Sequence, residues 1–386
     1  MDLTAEGPGW RLRLAEPADN PRLCELLREV HLAADLDLTQ ERDPDFFALH
    51  RMHGGVADTW VGEVQSDDGW RIEGCGSVVV RDGYVEGAVR PVGYLCDLRI
   101  SHRGTRKRAL PVVFGRVVGL ARARHGVAAF HTVVFDDNVA ARNALTRERK
   151  QRAGQPRYTP ICPFDMAAIQ LFRAPFGPAI DYLGRRFRLA RGVREARVDD
   201  LPDIAALLDR DARARPFGVP MDADTLARRL ATWPDFAITD FRVCEAHGRL
   251  VGCLAPWDTS SFKRTRVLGY HGAWADKRLW LDRGARSLRG TPLPEPGEAF
   301  RFSFLTHVAV EDDDPAVLRD LLSATLRDQA GLGRQFTALM VPRGSRLREA
   351  LRGLIVQDTA MTIYDVAVGG APAGPTLRPG FEIALS

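Results

Sequence analysis

In the stretch YLCDLRISHRGTRKRAL, Tyr94 to Leu110, one carboxylate, Asp97, stands on an otherwise apolar run, and Arg103, Arg106, Lys107 and Arg108 follow around Gly104 and Thr105. Tyr94 to Ile100 reads as a half-buried strand. Leu110 to Arg124 reads as a helix, with Val113, Val117, Leu120 and Ala121 near helical spacing and Gly126 at its end. A turn between a strand and a helix start offers free backbone N–H groups and the positive end of the helix dipole. The competing reading is a solvated basic helix start, but cations are badly placed there, so the turn points to an anion, and a phosphate or diphosphate fits best. Arg and Lys on the turn would add charge-assisted bonds of roughly 1.5 to 3 kcal/mol each. Asp97 is the first candidate for a general base or an amine-binding group; the competing reading is a carboxylate tied to nearby backbone or to Arg99. His131, in the run AAFHTVVF, is a second candidate because imidazole relays protons near neutral pH. Its alternative is a core histidine with satisfied hydrogen bonds.

These groups need a scaffold, and the sequence supplies one twice. Strand WRLRLAEP leads through Asp19, Asn20 and Pro21 into the helix NPRLCELLREVHLA. VREARVDDLPDIAALLDRDARA repeats that order, with Pro202 in the place of Pro21 and Leu207–Leu208 in the place of Leu26–Leu27. RIEGCGSVVV is echoed by RLVGCLAPW, where Gly252–Cys253 matches Gly74–Cys75. A duplicated α/β domain is expected, with one copy over 1–186, the second over 187–386, and the linker in DYLGRRFRLARG. In the first copy TWVGEV, WRIEGCGSVVV and VGYLCDLRI should form an antiparallel meander joined through QSDDG and RDGYVEGAVRP. Next come the basic turn, its helix, the strand AAFHTVVF, a helix VAARNALTRE entered through Asp136, Asp137 and Asn138, and a closing hairpin in YTPICPFDMAAIQLF. The second copy should run from FRFSFLTHVAV through a helix over 315–329, strand FTALMV, helix SRLREALRGL and strand TAMTIYDVAV.

At 386 residues the chain is long for one core and suits two domains of about 190 residues each. Apolar residues make up 45% and charged residues 27%, the values of a soluble globular protein, and no apolar run approaches the roughly 20 residues of a membrane helix. The N-terminus lacks a basic start followed by an apolar stretch, so a cytoplasmic protein without membrane attachment is expected. A net charge of +4 argues against a nucleic-acid coat while leaving room for local anion sites. Six cysteines form no C-x-x-C pair and have no His at metal-ligand spacing, which implies buried thiols and no metal.

The order of elements resembles the GNAT acyltransferase superfamily, specifically its tandem-domain members. The resemblance rests on strand and helix, meander, the fourth strand YLCDLRI, the basic turn, the fifth strand AAFHTVVF, and Asn138 opening the next helix. It implies a mixed, mostly antiparallel sheet in each of two GNAT-like domains, with the fourth and fifth strands splayed and the pantetheine arm of acyl-CoA in the gap. On that basis Leu98, Arg99 and Ile100 would bond to pantetheine through their backbone, Arg103, Gly104, Thr105, Arg106, Lys107 and Arg108 would hold the phosphates, and Asn138 would contribute to the same site. Where the family's turn has small residues this chain has Arg106 and Arg108, or in the ungapped frame Arg108 and Leu110. Either Arg side chains do the binding or the cofactor has been lost. The matching turn of the second copy, VEDDDPAV, would repel a diphosphate, so that domain should be free of CoA and serve as structure or acceptor wall, with His307 on its fourth strand. The family's Tyr acid falls on Leu145.

The resemblance implies an acyl-CoA-dependent N-acyltransferase, with acetyl-CoA as first-choice donor and a small-molecule or peptide amine as acceptor, working as a monomer or homodimer. Two other classes stay open. One is an aminoacyl-tRNA-dependent transferase using RGTRKR, RERKQR and RRFR on phosphates, against which the modest charge argues. The other is an acyl-CoA-binding protein without catalysis.

Overall fold

The computed structural model describes residues 4–31, 35–101, 110–146, 156–171, 192–287, 290–367, 374, 376 and 379–386. The basic turn 103–108 and the linker lie outside the described residues, apart from Gly192.

Both copies begin the same way. After a short β1 (Ala5–Gly7), strand β2 (Trp10–Leu14) leads into α1 (Asn20–Glu29), and β9 (Gly192–Glu195) leads into α5 (Leu201–Arg213). Pro21 and Pro202 stand in the first turns, where a missing N–H costs nothing. The buried stripes are Leu23, Cys24, Leu26 and Leu27 in one helix and Ile204, Ala205, Leu207 and Leu208 in the other. Equivalent ion pairs fix the start of each copy. Arg13 grips Asp19 through two bonds (2.7 and 2.9 Å) and reaches Glu63 (3.0 Å); Arg194 grips Asp200 (2.7 and 2.7 Å) and reaches Glu245 (3.0 Å).

Strand β3 (Leu36–Glu41) and the short α2 (Ala48–Met52) precede the first meander, which consists of β4 (Val56–Ser66), β5 (Gly69–Val85) and β6 (Ala88–Ile100), all antiparallel. Its second connection is shorter than the sequence suggests. RDGYVEGAVRP is almost all strand, and the turn is Glu86–Gly87 alone, both with positive φ (51° and 77°), the geometry that follows the twist of a tight hairpin. Helix α3 (Leu110–His125) leads to β7 (Ala129–Phe135), parallel to β6, and α4 (Val139–Thr146) and β8 (Arg157–Gln170) follow. The second copy supplies α6 (Ala223–Thr232), β10 (Arg242–Ala246), β11 (Arg249–Trp257), β12 (Arg264–Tyr270) and α7 (Gly272–Ser287). It continues with β13 (Phe302–Val310), the long α8 (Pro315–Gly331), β14 (Phe336–Pro342), which runs parallel to β13, and β15 (Val356–Ala367). SRLREALRGL forms a 3₁₀ helix over Arg346–Leu351 rather than an α-helix.

Among the described residues all but two strands form one thirteen-stranded sheet in the order β1-β2-β4-β5-β6-β7-β15-β8-β14-β13-β11-β10-β9. The expected closing hairpin is absent. YTPICPFDMAAIQ is the single strand β8, and its partners are β14 and β15, both from the second copy. β15 in turn pairs with β7 of the first copy. Each half therefore closes the other half's sheet, so the two copies expected on either side of residue 186 share one sheet. A second exchange is the ribbon of β3 with β12, supported by the Glu41–Arg266 pair. The largest apolar cluster joins the halves, packing Val92, Ile161 and Phe164 with Leu207, Trp257 and Ile383.

Candidate functional site

Beside the sheet's centre the structure opens twice. Pairing of β6 with β7 runs only from Val92↔Ala129 to Leu95↔Thr132, and the Thr132 hydroxyl donates to the Leu95 carbonyl at the last pair (2.7 Å). Immediately beyond, Asp97 and Leu98 together oppose Gly76 of β5, a bulge that bends β6 away. From Cys96 to Ile100 the β7-facing edge of β6 has no strand partner among the described residues. The second copy repeats this. β13 and β14 pair only from Phe302↔Phe336 to Phe304↔Ala338, and His307 with Val308 form the bulge. Asp97 and His307 share a left-handed φ (57° and 50°), and the facing thiols Cys75 and Cys253 each approach the bulge carbonyl (3.3 and 3.5 Å).

Leu98, Arg99 and Ile100 thus lie on an open edge, where their backbone can meet an extended ligand. Arg103, Gly104, Thr105, Arg106, Lys107 and Arg108 lie outside the described residues. Asn138 opens α4 as its cap, its side-chain oxygen accepting the Ala141 N–H (2.9 Å). In the second copy the Asp314 carboxylate caps the start of α8 by accepting the Ala316 N–H (2.8 Å).

Asp97 is not placed as a base. Arg42 donates to both its oxygens (2.9 and 2.6 Å), and His50 Nε2, on α2, stands 2.6 Å from Oδ2. All three are buried, and despite burial the Arg42 charge and the His50 bond hold the Asp97 carboxyl well below the usual aspartate range. Its partner is Arg42, not Arg99, whose Nη1 donates to the Leu98 carbonyl. His50, Cys96 and Asp97 bring three ligand-type atoms within 4.8 Å, but the Arg42 guanidinium already supplies the cation there. Burial pushes the Cys96 thiol well above its ordinary value, so it stays protonated.

His131 is a core residue, but without the hydrogen bonds such a histidine should have. Its ring stacks between Tyr94 (5.1 Å) and Phe217 (4.8 Å, planes 7° apart), neither nitrogen has a partner among the described residues, and burial drives its pKa well down, leaving it neutral. Phe381 packs on Tyr94 (5.6 Å) and His131 (6.4 Å).

Phe381 belongs to the segment 379–386, which threads between the halves. Its next residue, Glu382, reaches the second opening. Arg229, on α6, donates from Nη1 to His307 Nε2 (2.9 Å). Because a guanidinium only donates, Nε2 is the acceptor, Nδ1 carries the proton and faces Thr306 Oγ1 (3.0 Å), and the Thr306 hydroxyl donates to Glu382 Oε2 (2.7 Å). The result is a consistently directed chain from a cation to a carboxylate. Burial raises the Glu382 pKa above 4.5, against the Thr306 bond and the Arg229 charge. Nearby, Lys263 donates to the carbonyl oxygens of Ala384 and Ser386 (2.8 Å each), and burial lowers its pKa to about 7.

Glu382, His307 and Arg229 line a cleft of about 130 Å³ with Leu208, Leu305 and Met340. The linear sequence carries no signal for Arg42, His50, Arg229, Lys263 or Glu382: each lies in ordinary surroundings and meets its partners only across long chain separations.

No protein-family model and no curated protein matches the chain by sequence. Among solved structures, the N-myristoyltransferase of Saccharomyces cerevisiae with bound myristoyl-CoA superimposes with a TM-score of 0.56 at 9% identity, over 96% of this chain and 86% of that one. A GCN5-related N-acetyltransferase from Sphaerobacter thermophilus gives 0.54 at 15% identity, over 95% and 98%. With so little shared sequence the likeness is one of architecture, and it agrees with the doubled openings and exchanged strands: over nearly its whole length this chain has the tandem GNAT fold.

Proposed function

We propose that the protein is an acyl-CoA-dependent N-acyltransferase that binds the thioester along the open edge of β6 and the acceptor amine in the second-copy cleft. The unpaired edge from Cys96 to Ile100 suits the amide-rich pantetheine arm, which can add to a sheet edge as a strand does. In the reaction the amine nitrogen forms a bond to the thioester carbonyl carbon and the C–S bond breaks. One amine proton goes to Glu382, and the sulfur leaves as a thiolate that takes up a proton. The observation that carries this reading is Glu382 itself. It is a carboxylate of raised proton affinity at the wall of a cleft, next to Phe381, which packs where the β6–β7 pairing ends. Raised proton affinity moves a carboxylate in the direction general-base catalysis needs. Acetyl-CoA is the donor to try first.

The test is calorimetry with CoA and acetyl-CoA, followed by turnover with a panel of amines. Glu382→Gln should lower kcat by about 10²- to 10⁴-fold, the usual contribution of a positioned base, while the heat with CoA persists. In the parent the acid limb of kcat/KM should lie above pH 4.5. No CoA heat and no turnover in the parent would refute the reading; CoA heat without turnover on any amine would leave a binding protein.

A further inference from the structure

Where the halves meet, two buried guanidinium groups share one carboxylate. Among the described residues Arg81, 8% exposed, donates only to carbonyl oxygens: Asp82 and Phe217 (3.2 Å each) and Gly380 (3.4 Å). Arg229, also 8% exposed, lies over the Trp233 ring (4.9 Å) and donates to His307. Among the described residues neither forms an ion pair, and Glu382, beyond salt-bridge distance, is the carboxylate whose charge acts on both. Burial and the mutual repulsion lower Arg81 to about 10, and burial does the same for Arg229. A cation taken out of water without a paired anion is costly, and here that cost is only partly offset.

The two cations are not equivalent. Arg81 is wrapped by carbonyls, whereas Arg229 lines the cleft. His307 is the sole hydrogen-bond acceptor of the Arg229 guanidinium among the described residues, so most of its five N–H donors are left for a ligand. The planar fork fits a carboxylate with two parallel bonds. In the same cleft Glu382 offers the opposite charge, kept apart from Arg229 by the neutral pair His307 and Thr306. Leu208, Leu305 and Met340 give the cleft of about 130 Å³ apolar wall, and the Arg215–Asp211 ion pair and Asp313 also line it. A ligand that answers both Arg229 and Glu382 carries an amine and an anion together.

We propose that the cleft takes a small amino-acid-like acceptor, its carboxylate paired with Arg229 and its amine facing Glu382. This rests on the acyl-transfer reading for its consequence, but not for its first test.

That test is calorimetric titration of the full chain, with no thioester present, using three matched pairs: glycine and methylamine, alanine and ethylamine, leucine and isoamylamine. At least one amino acid should bind tenfold or more tightly than its partner lacking the carboxylate. Arg229→Met should reduce that ratio to within twofold, and Arg229→Lys, which keeps the charge but loses the fork, should fall between. The proposal is overturned if the parent shows no carboxylate preference in any pair, if no amino acid gives heat with or without CoA, or if Arg229→Met keeps the preference. Should the methionine variant fail to fold, the parent ratio and the lysine variant decide. Carboxylate-dependent binding without turnover of acetyl-CoA would sink acyl transfer and leave this proposal standing; turnover indifferent to the carboxylate would do the reverse.

Discussion

Replacing Asp97 with Asn isolates one charge at the bulge of β6. Asn keeps the shape and tolerates the left-handed φ of 57°, so backbone strain is not introduced. What changes is electrostatic. The Arg42 side chain is 2% exposed and that of Asp97 4%, with two hydrogen bonds between them and His50 on the same carboxylate. Removing one member of a buried pair leaves the other uncompensated, at a cost of about 3 to 5 kcal/mol. Urea unfolding at pH 7 should show that loss in Asp97→Asn. The double variant Arg42→Met/Asp97→Asn should recover most of it, because the stranded cation is gone. The pH dependence has a definite sign. The folded-state pKa of Asp97 is depressed, so its contribution is fully present above the ordinary value of 3.8 and is lost only as pH falls through the lower folded value. The gap between parent and variant should therefore be the same at pH 5 and pH 7 and close only in strong acid. Because Asp97 holds the bulge rather than takes a proton, the acid limb of turnover should keep its position in the variant even as kcat/KM falls. A loss below about 1 kcal/mol, or a double variant less stable than the single one, would refute the reasoning.

The segment that carries Glu382 can be perturbed at two other points. A Cβ on Gly380 would lie 2.0 Å from the Gly218 nitrogen and 2.2 Å from its Cα, so Gly380→Ala must displace the segment. A shift near 1 Å at a reacting group costs on the order of 10²-fold, and kcat/KM should drop by at least tenfold; a value within threefold of the parent would count against Glu382. Lys263 has a folded pKa of about 7 against 10.5, so between those values the unfolded chain binds a proton that the folded chain lacks, and stability rises with pH. Lys263→Met should flatten that rise in urea midpoints measured between those two pH values, and an unchanged slope would contradict the assignment.

The duplication and the order of elements within each copy are legible along the chain. Pro21 and Pro202, the Gly–Cys pairs and the two fourth strands are local signals, and local signals survive in a linear pattern. The two fourth strands read from the pattern are also the ones that bulge: Asp97 lies at the first opening and His307 at its counterpart. What those residues do is settled only by folding. Asp97 reads as a free carboxylate in sequence because Arg42 and His50, which neutralise it, come from a different part of the chain. The exchange of β8 and β15 is hidden because a strand's alternation records which face is buried and not which strand lies alongside. Arg229 and Glu382, more than a hundred residues apart in sequence, line one cleft because the fold brings α6 and the segment 379–386 together there. Charge and hydrogen-bond partnership are properties of that meeting, and no spacing along the chain encodes them.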